Sequence, residues 1–326
     1  MPMSATTMYS CLPLIDIRGL RSNNLSDRMS VASELREACQ RCGFFYIINH
    51  GIDPVLIRAV QEQSERFFAL PDSAKMAVDK AFSLCNRGYE PLRAQTLEAG
   101  SPPDLKEGFY IGIDLKENDP RVVAGRFNQG PNQWPVGVAD FRSVMEAYFA
   151  AAFEVSALLM RGLALSLDLA EDYFAPLMVD ASATLRLLHY PPQPPKPQPG
   201  EKGCGAHTDF GALTLLLQDN VGGLQVKAID SDQWIEAPPI EGSYVVNLGD
   251  MINRWTNDRY HSNVHRVINL SGRERYSVPF FFTGNMNTLV ECLPTCLGSA
   301  GIAKYPPVTI EQHFMERYQA SYGGCI

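Results

Sequence analysis

Between residues 205 and 284 the chain is a succession of short apolar segments, separated by residues that favour turns. The segments are 213–218, 224–227, 244–248, 264–269 and 276–282. Asp-Asn, Gly-Gly and Ser-Gly pairs lie between several of them. Short apolar segments bounded by such turn signals are typical of antiparallel strands in a sandwich or barrel. The sequence therefore predicts a mainly β fold for this part of the chain.

A proline-rich stretch marks the start of this β region. Six of the ten residues 191–200 are proline, and a strand-like segment at 183–190 precedes them. Proline lacks a backbone N–H and has a fixed φ, so it is excluded from helix interiors and from the middle of a sheet. We therefore expect residues 191–200 to form an extended loop between two strands.

Helices are predicted to flank the strands. Ser26 and Asp27 can cap a helix that ends at Gly43, since glycine is favoured just beyond a helix C-terminus. Asp53 followed by Pro54 is a second start signal, with an acidic cap before proline at the first helical position.

Two further helices follow in the sequence. Apolar residues recur at helical spacing through residues 139–168, which predicts one long buried helix or two shorter ones. A last helix is predicted to begin at Thr309, where Gln312 completes a capping box. The chain is therefore divided into an N-terminal α/β region, a scaffold helix, a β core, and a C-terminal tail with its helix, at residues 12–130, 139–168, 181–285 and 286–326.

The charge balance argues against a nucleic-acid-binding protein. The chain has 28 Lys and Arg against 36 Asp and Glu, a net charge of −8, and no run of basic residues. Dedicated nucleic-acid binders usually present a basic face.

No long uninterrupted apolar stretch and no basic, apolar leader are visible, so we expect no membrane span and no signal peptide. The eight cysteines are scattered along a long chain, which indicates reduced thiols in a cytoplasmic protein.

Three residues in the β region suggest a metal site. His207 and Asp209 are two positions apart, so in extended backbone both side chains project to the same side. His265 lies in the later predicted strand 264–269. Two imidazoles and one carboxylate are the ligand set of non-haem Fe(II) oxygenases. Alone, the His-X-Asp pair also fits a surface histidine beside a solvated aspartate.

A second pair of residues suggests an anion site. Arg275 and Ser277 open the last predicted strand and share one face. A guanidinium fork and a hydroxyl on one face can converge on a single carboxylate. The alternative is an arginine at a sheet edge beside a packed serine.

Taken together, these motifs resemble the Fe(II)- and 2-oxoglutarate-dependent dioxygenases of the isopenicillin N synthase-like group, over about residues 12–285. The segments that carry the resemblance are GFFYIINHG at 43–51, GY at 88–89, DLKEGF at 104–109, LRLLHYPP at 185–192, HTD at 207–209, GALT at 211–214, GGLQV at 222–226, NLGD at 247–250, HRV at 265–267 and RYSVPFF at 275–281.

The resemblance implies a double-stranded β-helix (jelly-roll) core with flanking helices. By position, the residues that match the family's Fe(II) ligands are His207, Asp209 and His265. Arg275 and Ser277 would hold the distal carboxylate of 2-oxoglutarate. The implied reaction oxidises a small molecule, by default through hydroxylation, with release of succinate and CO2. O2 is the oxidant, and ascorbate is expected as a reductant.

The co-substrate and substrate contacts are less completely specified. Tyr190 matches a tyrosine that bonds the co-substrate in many members, but Leu188 stands where plant relatives often carry asparagine. This departure puts the full set of 2-oxoglutarate contacts in doubt. Candidate substrate-pocket residues are Arg186, Phe109, Phe210 and Phe281. Arg186 could equally brace the sheet.

Three alternatives remain open from the sequence. The chain could be an ethylene- and succinate-forming enzyme, although Phe210 stands where that enzyme carries tyrosine. It could be an oxidase of this fold that takes no 2-oxoglutarate, or a metal-binding jelly roll without activity. The C-terminal helix could act as a lid or as a dimer contact, and the protein is expected to be a monomer or homodimer.

Overall fold

The computed structural model describes residues 12–299 and 301–322. Fourteen strands occur in this part of the chain. They are β1 (Leu14–Asp16), β2 (Phe44–Ile48), β3 (Gly88–Glu90), β4 (Glu107–Gly112), β5 (Ala181–Tyr190), β6 (Cys204–His207), β7 (Leu213–Gln218), β8 (Leu224–Lys227), β9 (Trp234–Glu236), β10 (Tyr244–Leu248), β11 (His265–Val267), β12 (Arg275–Asn285), β13 (Leu289–Val290) and β14 (Val308–Thr309).

Eight α-helices accompany the strands within the described residues. They are α1 (Leu25–Arg41), α2 (Pro54–Phe68), α3 (Asp72–Met76), α4 (Pro120–Val123), α5 (Phe141–Ser166), α6 (Ala175–Met178), α7 (Asp250–Trp255) and α8 (Ile310–Tyr322).

Two facing sheets form the centre of the fold. The larger has the strand order β1-β2-β10-β7-β12-β5-β4-β3, and the smaller has the order β6-β11-β8-β9. Apolar side chains from both sheets form one buried cluster between them. The predicted mainly β fold with a jelly-roll core and flanking helices is confirmed.

The N-terminal strands complete the larger sheet. β2 pairs antiparallel with β10, and β1 pairs parallel with β2. At the opposite edge, β3 and β4 extend the sheet beyond β5. In space, the N-terminal region and the β core therefore share one sheet.

The helix α5 supports the larger sheet from its outer face. It packs against α1, α2 and β12, and its apolar side chains belong to the main hydrophobic core. By length and composition this helix could also cross a membrane, contrary to the expectation that the chain has no such segment. In the fold, 61% of an 18-residue apolar stretch of this helix is buried, as expected of a core helix.

Several local predictions are confirmed, and the start of α1 needs correction. Asp53 caps α2 through the amide of Val55, with Pro54 in the first turn. The side chain of Asn24, and not Ser26 or Asp27, caps α1. Asn24 precedes the helix and accepts from the amide two residues on, whereas the two predicted caps already lie inside the first turn.

The other end of the molecule follows the prediction more closely. Gln312 and Thr309 form the expected capping box at the start of α8, with hydrogen bonds of 3.1 and 3.2 Å. The predicted strand 264–269 is shortened to β11, and the predicted strand 276–282 is extended to β12. The last residues of the predicted tail, 323–326, lie outside the described residues.

Gly43 is a point at which backbone geometry constrains the site. It follows α1 with a φ of +68°, and a Cβ atom there would lie 1.9 Å from the carbonyl oxygen of His261. The next residue, Phe44, places its ring 5.1 Å from that of His265. Gly43 therefore lets the chain turn tightly enough to bring the Phe44 ring of β2 against His265 of β11.

We predict that Gly43→Ala lowers the free energy of unfolding by about 2–4 kcal/mol, from left-handed backbone strain and overpacking. Gly100→Ala is the matched control, because Gly100 has a φ of +80° but an added Cβ meets nothing within 4 Å. It should cost only about 1 kcal/mol. Urea denaturation of both variants measures the difference, and equal losses would contradict the role given to the His261 contact.

Candidate metal centre

Three ligand atoms converge where the smaller sheet faces the larger one. His207 ends β6, His265 begins β11, and the two residues are cross-strand partners. The Nε2 atoms of His207 and His265 lie 3.7 and 3.8 Å from Oδ1 of Asp209. In the described part of the chain, these three form the one cluster of this kind, with ligand atoms within 4.8 Å of one another. The structure thus brings the three predicted ligands together.

Backbone carbonyl groups orient the two imidazoles. Nδ1 of His207 lies 2.8 Å from the carbonyl oxygen of Gly205, and Nδ1 of His265 lies 3.3 Å from that of Asn263. A carbonyl can only accept, so each Nδ1 carries the proton and donates it. The lone pair of each ring is then on Nε2, which faces Asp209, as in histidine ligands of protein metal sites.

The Asp209 carboxylate is held by two neutral donors of the larger sheet. Thr214 Oγ1 and Asn247 Nδ2 donate to Asp209 Oδ2 over 2.6 and 2.7 Å. Thr214 on β7 and Asn247 on β10 are cross-strand partners. Oδ2 is therefore fixed by the sheet, and Oδ1 is left facing the two imidazoles.

The environment favours the protonation states that a divalent metal needs. Burial lowers the pKa of His207 and lowers that of His265 to about 4. Burial alone raises the pKa of Asp209, but the facing His265 and His207 rings, followed by the hydrogen bonds from Asn247 and Thr214, outweigh it and lower that pKa. At neutral pH the centre has two neutral imidazoles and one carboxylate, and metal binding then needs no proton release.

This donor set fits Fe(II). Two imidazole nitrogens and one carboxylate oxygen on one side of an ion form the facial triad of non-haem iron oxygenases. The geometry therefore allows His207, Asp209 and His265 to hold Fe(II) and to leave its other side open to further ligands.

A buried guanidinium, that of Arg275, lies in the same interior, the space between the two sheets. Arg275 has no exposed surface, and its Nε donates to the carbonyl oxygen of Gly222 over 2.5 Å. Its other nitrogens contact Gln218 Oε1 at 3.1 Å and Ser277 Oγ at 3.3 Å. Among the residues that the structure describes, no carboxylate pairs with it. Arg275 is thus a buried positive charge bound by neutral groups only.

Tyr190 lies against this guanidinium. Its ring centroid is 4.8 Å from the Arg275 Cζ, and the two residues are cross-strand partners on β5 and β12. The predicted co-substrate residues Arg275, Ser277 and Tyr190 are therefore neighbours in space. A guanidinium and a hydroxyl without an acidic partner suit a ligand carboxylate.

Three of the four candidate substrate residues lie on the side of the candidate metal centre, and the fourth does not. Alternation along β12 puts Phe281 on the same face as Arg275 and Ser277. Arg186 also faces the interior, where it pairs with the carboxylate of Glu90. Phe210 directly follows Asp209 and lies beneath α8.

The prediction for Phe109 is wrong. Phe109 is completely buried in the core on the other face of the sheet, with its ring 4.6 Å from Phe67 and 5.5 Å from Phe141. The neighbouring Tyr110 faces the interior instead, and the Arg186 Cζ lies 4.3 Å from its ring. Successive strand residues point to opposite faces of a sheet. The sequence did not show which residues of β4 face the space between the two sheets.

The C-terminal helix covers the loop between the candidate ligands. Arg317 on α8 donates to Thr208 Oγ1 over 3.0 Å and pairs with Asp250 at 2.9 Å. His313 Nε2 lies 3.1 Å from the carbonyl oxygen of Phe210. The helix therefore contacts the loop residues on both sides of Asp209.

The roles of Thr214 and Asn247 were not predicted from the sequence. Both lie in segments that carried the family resemblance, 211–214 and 247–250, but neither was assigned a function. They are 33 positions apart in sequence and meet only through the pairing of β7 with β10.

Comparison with known proteins agrees with the geometry. Residues 12–137 match the family described as non-haem dioxygenase in morphine synthesis N-terminal, and residues 181–284 match the 2OG-Fe(II) oxygenase superfamily. The chain is 47% identical over 315 residues to the 2-oxoglutarate-Fe(II) type oxidoreductase hxnY of Emericella nidulans, which covers 95% of this chain and 90% of the relative.

Two further relatives extend the comparison. Clavatol oxidase claD of Penicillium crustosum is 39% identical, with 95% of this chain and 96% of the relative covered. The crystal structure of Neurospora crassa T7H in complex with alpha-KG and thymine has a TM-score of 0.84 at 32% identity, and covers 95% of this chain and 96% of that one.

We predict that Thr214→Val weakens Fe(II) binding by about 10- to 100-fold, because a partner that orients a metal ligand is lost. Thr214→Ser is the matched control, since it keeps the hydroxyl that donates to Asp209 and should retain most of the affinity. Anaerobic Fe(II) titration of both variants provides the measurement. Equal weakening in Val and Ser would contradict the role given to the hydrogen bond, because Ser keeps the hydroxyl that donates to Asp209.

Proposed function

Since the chain belongs to the 2OG-Fe(II) oxygenase superfamily, we propose that His207, Asp209 and His265 bind the Fe(II), and that Arg275 with Ser277 binds 2-oxoglutarate. The enzyme is a 2-oxoglutarate- and Fe(II)-dependent dioxygenase that oxidises a small molecule. The observation that carries the assignment of the co-substrate site is the buried Arg275 guanidinium.

The buried positive charge of Arg275 needs a counter-ion. A charge that is buried without a counter-ion is costly, so such groups normally have an acidic partner. Here the guanidinium contacts only Gly222, Gln218 and Ser277, all neutral. A ligand carboxylate supplies the missing charge, and each charge-assisted hydrogen bond to it contributes about 1.5–3 kcal/mol.

In the proposed reaction 2-oxoglutarate and O2 are consumed, and succinate and CO2 are released as the substrate is oxidised. Bound Fe(II) supplies the oxygen chemistry. Asp209, His207 and His265 hold it on one side, and Arg275 fixes the far end of the co-substrate. Asp209 and His265 are buried, which limits the access of water to the reacting groups.

We propose hydroxylation of a C–H bond as the outcome. One oxygen atom of O2 then enters the substrate and the other enters succinate, so that the substrate gains one oxygen and loses no carbon. The relatives named oxidoreductase and oxidase are compatible with this outcome and with other oxidations.

The interior favours a small substrate with a flat face and polar edges. Phe281 supplies flat apolar surface on the face of β12 that carries Arg275 and Ser277, and the Arg186 guanidinium beside Tyr110 supplies hydrogen-bond donors. The Neurospora crassa T7H, which was solved with thymine, accepts a molecule of this kind in the same fold.

We predict that Arg275→Ala raises the Kd for 2-oxoglutarate by about 10- to 150-fold, the equivalent of one charge-assisted contact. Succinate formation at low 2-oxoglutarate should fall in proportion, while Fe(II) binding is retained. Arg273→Ala is the matched control, because this arginine lies two residues before Arg275 and is exposed. An unchanged Kd for Arg275→Ala would contradict the assignment.

A further inference from the structure

The strand that carries His207 has an irregular edge. β6 is the outer strand of the smaller sheet and pairs only with β11. Between the pairs His265–His207 and Val267–Cys204 the register shifts, so three steps on β6 oppose two on β11. Such a bulge turns successive amides away from the partner strand and occurs often next to active sites.

Two carboxylates bind the amides that this bulge releases. The Gly205 amide donates to Asp104 Oδ1 over 2.8 Å, and the Ala206 amide donates to Glu98 Oε2 over 2.9 Å. Glycine at 205 makes this approach possible, because a Cβ there would lie 2.7 Å from the Cβ of Glu98. The segment before β4 therefore completes the edge of β6 with side chains.

The peptide unit between Gly205 and Ala206 links Glu98 to a proposed metal ligand. Its carbonyl oxygen accepts from His207 Nδ1 over 2.8 Å, and its N–H donates to Glu98. A carboxylate bound to the N–H polarises the amide and makes its oxygen a stronger acceptor. A stronger acceptor at Nδ1 fixes the ring tautomer and makes Nε2 a better donor to a metal.

We propose that Glu98 is a positioning residue that acts through the 205–206 peptide to fix the tautomer of His207 and to strengthen its bond to the metal. The inference rests on the proposed role of His207 as a ligand. It assigns a function to a segment that provides no ligand itself.

The surroundings keep Glu98 ionised. Lys202 Nζ lies 3.0 Å from Glu98 Oε2. Burial raises the pKa of Glu98, but the Ala206 amide and Lys202 outweigh it, so the net shift is downward. The side chain is 34% exposed, so Glu98 can be replaced without opening a cavity in the core.

The second histidine lacks such a carboxylate. The carbonyl of Asn263 accepts from His265 Nδ1, and the next amide, that of Val264, donates to the neutral side chain of Asn263 at 2.8 Å. The two imidazoles therefore differ in the charge behind their peptide. We expect loss of Glu98 to affect His207 and to leave the tautomer of His265 unchanged.

Histidine-selective ¹⁵N NMR of the metal-free protein tests the positioning directly. In the wild type, we expect His207 as a single Nδ1–H tautomer. Glu98→Ala should give a mixture, and Glu98→Gln should largely restore the single tautomer because it keeps an acceptor oxygen. His207→Gln assigns the signal. An unchanged His207 signal in Glu98→Ala would overturn the proposal.

Titration with Co(II) in place of Fe(II) tests the effect on the metal. Glu98→Ala should weaken Co(II) binding about 10-fold, the lower end of the range for groups that support a ligand. Glu98→Gln should fall between Ala and wild type, since it loses the charge. Glu236→Gln, an exposed residue of the same sheet, should match the wild type.

The two measurements separate the inference from the proposed function. If His207→Gln leaves Co(II) affinity unchanged, the ligand assignment fails, and the tautomer measurement still decides whether Glu98 positions His207. If His207→Gln abolishes Co(II) binding and Glu98→Ala changes neither affinity nor tautomer, the ligand assignment holds and the role of Glu98 is overturned.

Discussion

The site depends on the two carboxylate oxygens of Asp209 having different partners. Oδ2 is fixed by Thr214 and Asn247 of the larger sheet, and Oδ1 faces His207 and His265 of the smaller sheet. The carboxylate thus joins the two sheets at one point. Hydrogen bonds to Oδ2 compensate the cost of burying the charge, and Oδ1 keeps its capacity for a cation.

A buried positive charge complements this centre. Arg275 lies on the larger sheet with neutral partners only, so the interior carries one group suited to a cation and one suited to an anion. A dicarboxylic keto acid that also binds iron matches both groups. The strand β12 holds Arg275 and Ser277 on one face, and Tyr190 of β5 fixes the guanidinium from the side. Strand alternation and pairing therefore bring together the three residues that we propose contact the co-substrate.

How much of this could be predicted from sequence depended on the range of the interaction. His207 and Asp209 are only two residues apart, so their spacing suggested one site, and the order of the motifs identified the family. Phe109 was wrongly placed in the substrate pocket. A shift of one residue along a strand moves a side chain from the space between the sheets to the core on the other face. The convergence of Thr214 and Asn247 on Asp209 depends on sheet register, and the contact of Glu98 with Ala206 depends on a bulge. Neither leaves a local signal in the sequence.

The central claim is that the Fe(II) centre and Arg275 bind one co-substrate together. Its most direct test is visible absorption of the anaerobic, Fe(II)-loaded protein during titration with 2-oxoglutarate. The account predicts a metal-to-ligand charge-transfer band that saturates at one equivalent of 2-oxoglutarate per iron. Well-folded, iron-loaded protein that develops no such band would contradict it.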